Sequence, residues 1–320
     1  MTRNPISRRD FLSRTVTMAG LVATHGLVPW RALAQSSRVV DRQPWARLEE
    51  LAEGIWAVVS TPLDGGDWTT GCNGGLIAGR ERVLAIEGFL SPAGAEWLAD
   101  KSRELTGRRP TEVLVTHFHG DHVNGLQGYV GDDSPGLLAT RTTLDLLRRD
   151  DAARDEPPSD SRLAMLEGVT TVNEEQATEL DLGGRSVALR PRRGHTPSDV
   201  TVEIAEPSIV FCGDLVWNGL FPNYRVTLAS LFSAGIRDLR RDEVSTCVSG
   251  HGGLAGRGEI DALLALVNSV EQAARQALEK GTPLEEAAAG FELPTPVADW
   301  SLFNPRYFEV AFEAWYRELG

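Results

Sequence analysis

Short apolar runs, separated by glycine, proline and charged residues, follow one another along most of the chain as far as residue 258. Runs of this kind are typical of buried β-strands. They predict strands at 54–60, 75–78, 82–86, 111–116, 186–190, 200–204, 209–212 and 244–249. Helical spacing is found at 91–105, 138–149 and 227–239. Ser91 is a candidate N-cap for the first of these helices, with Pro92 at its first position. The pattern predicts a mixed α/β protein.

The residues after 258 have a different pattern, with helical spacing at 259–278, 283–289 and 307–319. No internal repeat and no linker divides the chain, so we predict one domain over 35–320 that includes a C-terminal helical region at 259–320. These last helices are most simply packing elements, and a lid or a dimer contact is the alternative.

The first 34 residues are predicted to be an export signal. Residues 7–12 read Ser-Arg-Arg-Asp-Phe-Leu and resemble a twin-arginine signal, and Ala32-Leu33-Ala34 supplies a cleavage site of small residues. The stretch between them is too short and too polar to span a membrane. We therefore expect the twin-arginine machinery as a partner and a periplasmic or secreted location in a bacterium, with no membrane span after removal of the signal.

The net charge argues against two classes of partner. The chain of 320 residues carries a formal net charge of −13, and loss of five arginines and one aspartate with residues 1–34 would leave −17. This acidity argues against nucleic acid and anionic membranes as partners. A small-molecule substrate is expected from the candidate chemistry described below. Cys72, Cys212 and Cys247 allow at most one disulfide, and burial is the expected role of the latter two.

The segment Thr116-His117-Phe118-His119-Gly120-Asp121-His122 carries the chemistry of this sequence. It follows an apolar strand, and residues two apart on an extended chain point to the same side, so His117 and His119 can reach one metal ion. Asp121 and His122 lie beyond the turn at Gly120 and can face a second ion. Imidazole and carboxylate suit zinc and related metals. The segment predicts a metal site, with room for two metals.

Two further histidines, His195 and His251, stand in glycine-flanked turns after apolar stretches, and Asp214 follows Cys212-Gly213. The order His-x-His-x-Asp-His, Gly-His-Thr, Gly-Asp and Gly-His-Gly resembles the metallo-β-lactamase superfamily. The similarity covers roughly residues 48–258 and implies a four-layered αββα sandwich with the metals at one edge of the two sheets.

The resemblance also implies the ligands. His117, His119 and His195 would hold the first metal, Asp121, His122 and His251 the second, and Asp214 would bridge the two. Two zinc ions per chain are expected, with iron and manganese as alternatives. A hydroxide shared by the metals would attack a carbonyl carbon, and the catalytic Asp121 would orient it. The implied reaction is hydrolysis of a β-lactam, lactone, ester or thioester.

Supporting residues are predicted less directly. Glu87 stands where the family usually has aspartate, and it either supports the metal ligands or caps a turn. Asp199 is expected to fix the loop behind His195. The candidates for the wall of the substrate pocket are the aromatic and amide side chains Trp68, Trp217, Asn218, Phe221 and Tyr224.

A second class of function remains open at this point. Persulfide dioxygenases resemble the same superfamily but use one iron held by two histidines and an aspartate. Ligand identity alone does not decide between the two metals, because geometry and availability also contribute. A metal-binding accessory protein without turnover is a third possibility that the complete ligand set disfavours.

Overall fold

The computed structural model describes residues 37–60, 66–131, 134–153, 155 and 157–320. The predicted signal at 1–34 lies outside these residues. Among the described helices, none combines the length and the hydropathy that crossing a membrane requires. The three cysteines are buried and free.

Thirteen strands of the described chain form two sheets. The first sheet contains, in spatial order, β1 (Arg38–Gln43), β2 (Ala46–Ala52), β3 (Ile55–Ser60), β4 (Gly74–Ala78), β5 (Val83–Ile86), β6 (Glu112–Leu114), β7 (Gly136–Thr140) and β8 (Thr170–Val172). Pairing is antiparallel from β1 to β5 and parallel from β5 to β8. The second sheet has the order β13 (Thr246–Gly252), β12 (Ile209–Asn218), β11 (Val200–Ile204), β10 (Ser186–Pro191) and β9 (Thr178–Asp181). Only β12 and β13 are parallel in it.

Eight α-helices surround these sheets in the described chain. They are α1 (Pro92–Thr106), α2 (Gly120–Val123), α3 (Arg141–Ala152), α4 (Asp160–Glu167), α5 (Ala229–Arg241), α6 (Arg257–Glu279), α7 (Leu284–Ala289) and α8 (Tyr307–Leu319). As the sequence predicts, α1 begins with proline at its first position, and Gly107 ends it in the left-handed conformation.

The layers follow from the alternation of side chains along the strands. In β3, Ile55, Ala57 and Val59 pack between the two sheets, whereas Trp56 and Val58 face the layer that contains α1. The opposite face of the second sheet packs against α5, α6 and α8. The fold is therefore the predicted αββα arrangement, and α6 and α8 are packing elements of its outer layer.

The sequence analysis was wrong about one segment and missed several elements, namely the hairpin of β1 and β2, helix α4 and strands β8 and β9. Residues 138–149 were expected to be one helix, but Leu138 to Thr140 complete strand β7 before α3 begins. No glycine or proline separates the two, and Thr140 caps the helix by accepting a hydrogen bond from Thr143 N at 3.0 Å. No strand is predicted for the hairpin of β1 and β2, because charged residues at its exposed positions interrupt the apolar pattern.

Candidate metal centre

The predicted ligands come from four places at one end of the two sheets. His117, His119, Asp121 and His122 follow β6 and enter α2, and the remaining three come from the second sheet. His195 follows β10, Asp214 lies within β12 and His251 within β13. The register of β12 against β13 shifts around Gly213.

Gly250, which precedes His251 on β13, permits the close approach of this strand to Asp214 on β12. A Cβ atom at Gly250 would lie 2.0 Å from Asp214 Oδ1, so any larger residue would displace the carboxylate. Gly213 has φ +51°, a left-handed conformation that favours glycine. In the Gly213-Asp214 and Gly250-His251 pairs, the backbone therefore requires the glycine, and the site requires the aspartate or the histidine.

One group of donor atoms is formed by His117, His119, His195 and Asp214. His119 Nδ1 lies 3.1 Å from His117 Nε2 and 3.0 Å from His195 Nε2. Asp214 Oδ2 lies 3.2 Å from His195 Nε2 and 3.9 Å from His117 Nε2. These atoms converge on one point from two loops and from strand β12.

A second group is formed by Asp121, His122 and His251. Asp121 Oδ2 lies 3.1 Å from His251 Nε2 and 3.7 Å from His122 Nε2. The other oxygen of Asp214, Oδ1, lies 3.1 Å from His122 Nε2 and 3.3 Å from His251 Nε2. The two oxygens of Asp214 therefore face different groups.

The donor atoms fit divalent metal ions. A tetrahedral zinc ion bound at about 2.0–2.1 Å holds its ligand atoms about 3.4 Å apart, close to the separations found here. Neither Nε2 of His122 nor Oδ1 of Asp214 has a hydrogen-bond partner among the described residues, although both are buried. Buried polar atoms without partners are costly, and metal ions at the two points would satisfy them.

The electrostatics of the two groups differ. Burial, reinforced by the charge of the neighbouring His195, lowers the pKa of His119 to about 3, so this imidazole is neutral and ready to bind a metal. Burial also lowers the pKa of His251, but the carboxylates of Asp214 and Asp121 outweigh it and raise the value to about 9. In the absence of a cation, the two carboxylates thus attract protons to the second group, and a metal ion would replace those protons.

Glu87 lies directly behind both groups. Its Oε1 accepts a hydrogen bond from Thr116 Oγ1 at 2.6 Å, and Thr116 Oγ1 lies 3.0 Å from His117 Nδ1. The same Oε1 lies 3.1 Å from His122 Nδ1. Glu87 thereby contacts one ligand directly and another through Thr116, with the Nε2 atom of each imidazole directed to the site. Its left-handed backbone, with φ 76°, is uncommon for a residue other than glycine.

Asp199 holds the loop that carries His195. Its Oδ2 accepts hydrogen bonds from the backbone N–H of Gly194 at 3.0 Å and of Thr196 at 2.7 Å. Its Oδ1 accepts one from Thr196 Oγ1 at 2.7 Å. Burial raises the pKa of Asp199 to about 6, and the hydrogen bonds from Thr196 oppose that rise. This carboxylate contacts the loop and not the cavity.

A cavity of about 720 Å³ opens beside His251, a size that is common for small-molecule sites, which span roughly 300–1,000 Å³. Trp68 and Asn218 are among the residues that line it. Asn218 Nδ2 donates to Leu254 O at 3.0 Å, so its amide also fixes the loop after His251. Trp217 is buried beneath, with its ring centroid 4.3 Å from that of His251.

Phe221 and Tyr224 do not line this cavity, and their expected role as pocket walls is corrected here. Both are fully buried in the outer layer of the second sheet. Phe221 packs against Phe308 with ring centroids 5.0 Å apart, and Tyr224 packs against Phe232 at 5.4 Å. A bridge between Leu220 and Ser301 directs the chain into that layer just after β12.

Two aromatic residues near the site were missed because they come from the C-terminal region. Phe303 lines the cavity, and its ring lies 5.3 Å from that of His251. Tyr307 is half-buried, and burial together with the charges of Asp214 and Asp121 raises its pKa to about 12. Neither residue belongs to a motif, so no signal in the sequence connects it to the histidines.

The chain is similar to known proteins in both sequence and fold. The family model described as the metallo-beta-lactamase superfamily matches residues 67–280. No curated protein sequence matches the chain. Among solved structures, the stereoselective inverting sec-alkylsulfatase Pisa1 from Pseudomonas sp. superposes with a TM-score of 0.68 at 16% identity, over 85% of this chain and 50% of that one. The chain thus spans half the length of that alkylsulfatase.

Shorter structures match over nearly their whole length. A metallo-beta-lactamase from Pontibacter korlensis has a TM-score of 0.53 at 16% identity and covers 73% of this chain and 99% of its own. Another from Erythrobacter litoralis has a TM-score of 0.54 at 18% identity, over 71% and 98%. At such low identities these structures establish a shared fold.

Proposed function

The chain belongs to the metallo-beta-lactamase superfamily, and we propose that it is a hydrolase dependent on two divalent metal ions, with zinc as the expected metal. The observation that carries the proposal is the position of Asp214. Its Oδ2 lies 3.2 Å from His195 Nε2 and its Oδ1 lies 3.1 Å from His122 Nε2, so one carboxylate faces both donor groups.

In this proposal His117, His119 and His195 hold one ion, Asp121, His122 and His251 hold the other, and Asp214 is shared. Two ions so held supply positive charge that polarises a carbonyl group and lower the pKa of water to roughly 7, which makes it a nucleophile.

Asp121 is the predicted catalytic side chain. Its side chain is 32% exposed, whereas those of the two ligands in contact with it, His122 and His251, are 0% and 5% exposed. It is therefore the ligand that can reach a water molecule at the mouth of the site, orient it toward the substrate and accept its proton.

We further propose that the substrate is a small molecule with a hydrolysable ester, lactone, thioester or β-lactam bond. We add alkyl sulfate esters to these candidate substrates, because the alkylsulfatase shares the fold over most of this chain. The substrate is expected to enter through the cavity beside His251, since this cavity reaches the second donor group.

Metal content and turnover test the proposal together. The chain purified without added metal is expected to contain about two zinc ions, measured by inductively coupled plasma mass spectrometry, and to hydrolyse at least one substrate of that panel. One iron ion per chain without zinc, together with no hydrolysis, would overturn the proposal in favour of an oxygenase of the persulfide dioxygenase type.

Export is a separate part of the proposal. Arg8 and Arg9 lie in the twin-arginine pattern, and we expect the signal at 1–34 to direct the folded protein to the periplasm. The variant Arg8→Lys/Arg9→Lys should remain in the cytoplasm when cells are fractionated. Export of this variant at the normal level would contradict the twin-arginine route.

A further inference from the structure

The charge of the cavity beside His251 differs from that of the chain as a whole. The chain has 45 acidic and 32 basic residues, yet the described residues that line this cavity include Arg47 and no aspartate or glutamate. An arginine placed alone in a cavity beside a hydrolytic site is a candidate for binding an anionic group of the substrate.

Arg47 is held in place on strand β2 of the first sheet. It lies on β2 opposite Val59 of β3, and Val59 and Ser60 line the same cavity. Its Nε donates a hydrogen bond to Glu49 Oε1, and Glu49 also accepts one from Ser37 Oγ. This ion pair orients the guanidinium group.

The rest of the guanidinium group is available. Among the described residues, neither Nη atom of Arg47 has a hydrogen-bond partner, and the side chain is 33% exposed. Two terminal nitrogens in one plane match the two oxygens of a carboxylate or a sulfate group, which bind arginine in a bidentate manner.

An aromatic surface forms another part of the same cavity. Trp68 is 41% exposed, and its ring lies 5.8 Å from that of Phe303. Phe303 is held in place from below, because Phe221 N donates to Ser301 O at 2.9 Å and Ser301 N donates to Gly219 O at 3.1 Å. Exposed aromatic surface in a cavity is suited to an apolar part of a ligand.

We propose that this pocket selects amphiphilic anions: Arg47 binds a carboxylate or sulfate group of the substrate, and Trp68 and Phe303 contact its apolar part. The inference rests on the proposed function, since it assigns a substrate class to the same site. Arg47 and Phe303 both lie outside the residues that match the family model, 67–280.

The kinetic test compares two esters that differ in charge. These are the p-nitrophenyl monoester of adipic acid, which is anionic, and p-nitrophenyl hexanoate, which is neutral and of similar length. The zinc-loaded full chain should prefer the anionic ester. In Arg47→Gln, KM for the anionic ester should rise roughly tenfold with little change in kcat, as expected for loss of a charge-assisted hydrogen bond at a partly exposed site. The neutral ester should be unaffected.

Matched variants separate a specific contact from the general charge of the protein. Arg42 lies opposite Arg47 on β1, is exposed and does not line the cavity, so Arg42→Gln should leave both esters unchanged. Arg47→Gln/Glu49→Gln removes the whole ion pair and should show the same loss as Arg47→Gln. Equal effects of Arg47→Gln on both esters, or an equal effect of Arg42→Gln, would overturn the role of Arg47.

A binding measurement distinguishes failure of this inference from failure of the proposed function. Octanoate, octyl sulfate and 1-octanol are titrated into the full chain, with zinc and after treatment with a chelator, and followed by calorimetry. Tighter binding of either anion, roughly tenfold and lost in Arg47→Gln, supports the inference even if no ester is hydrolysed, and the tighter anion identifies the head group. Equal binding of all three ligands would refute it, and hydrolysis of the esters would then still support the proposed function.

Discussion

Glu87 offers the sharpest test of how the metal centre is held. Its Oε1 accepts a hydrogen bond from Thr116 Oγ1 at 2.6 Å and lies 3.1 Å from His122 Nδ1, and its Oε2 accepts one from Thr116 N at 3.2 Å. The substitution Glu87→Gln keeps the shape of this side chain but replaces one acceptor oxygen with an NH₂ group. An NH₂ group cannot accept, so at least one of these donors loses its partner.

The size of the effect follows from the contacts. Hydrogen bonds to a charged group contribute about 1.5–3 kcal/mol. Loss of a bond from Thr116, together with loss of the carboxylate charge beside His122, should weaken metal binding roughly 10- to 100-fold, the usual effect of removing a residue that orients a metal-binding histidine. Because Glu87 contacts His122 directly and His117 through Thr116, we expect weaker binding at both points. Competition for zinc with a chromophoric chelator measures both affinities.

Thr116→Val is the matched control for this prediction. It removes the hydroxyl that lies 3.0 Å from His117 Nδ1 and leaves the contact of Glu87 with His122 intact. Only one of the two zinc affinities should therefore fall. The reasoning is refuted if Glu87→Gln binds two zinc ions with the affinities of the unmodified chain, or if Thr116→Val weakens both sites equally.

Three further substitutions test the centre at other points. His195→Ala should abolish hydrolysis with an unchanged far-ultraviolet circular dichroism spectrum, because it removes a metal-binding imidazole and leaves the hydrogen bonds that Asp199 and Thr227 make to the backbone of this loop; an unaffected rate would contradict the ligand set. Asp214→Asn should lower the zinc content from about two ions per chain toward one, since a neutral amide compensates less charge than a carboxylate that faces both groups; two tightly bound ions in mass spectrometry would speak against a shared carboxylate. Asp199→Asn should lower the free energy of unfolding by about 2–3 kcal/mol in urea titrations, because its NH₂ group would face N–H donors of Gly194 and Thr196; no loss of stability would remove the role of Asp199 as the support of this loop.

The sequence predicts the ligands of the metal centre better than it predicts the residues of the pocket wall. The four ligands between His117 and His122 are local in sequence, and His195, Asp214 and His251 each come shortly after a predicted strand, so motif and strand pattern place them together. The pocket cannot be found in this way. Its wall depends on where the chain turns after β12, and that turn is fixed by a bridge to Ser301, which no local pattern indicates.

The same reason explains the two aromatic residues that were placed wrongly. Phe221 and Tyr224 follow Asp214 closely in sequence, but closeness in sequence does not bring a side chain to the cavity. The outer layer of helices provides a large apolar surface just there, and burial of an aromatic side chain against it stabilises the fold more than exposure at a cavity wall would.

The metal ligands and the residues of the pocket wall differ in whether they lie in the range that matches the family model. All seven candidate ligands lie within residues 67–280, which match the family model, whereas Arg47 precedes this range and Phe303 follows it. The shared fold therefore accounts for the chemistry that the site can perform. In the pocket that we propose, two of the residues that would contact the substrate, Arg47 on β2 and Phe303 before α8, lie outside the range that matches the family model. Substitutions at Arg47 and Phe303 should accordingly change which substrate is cleaved and leave the metal content as it is.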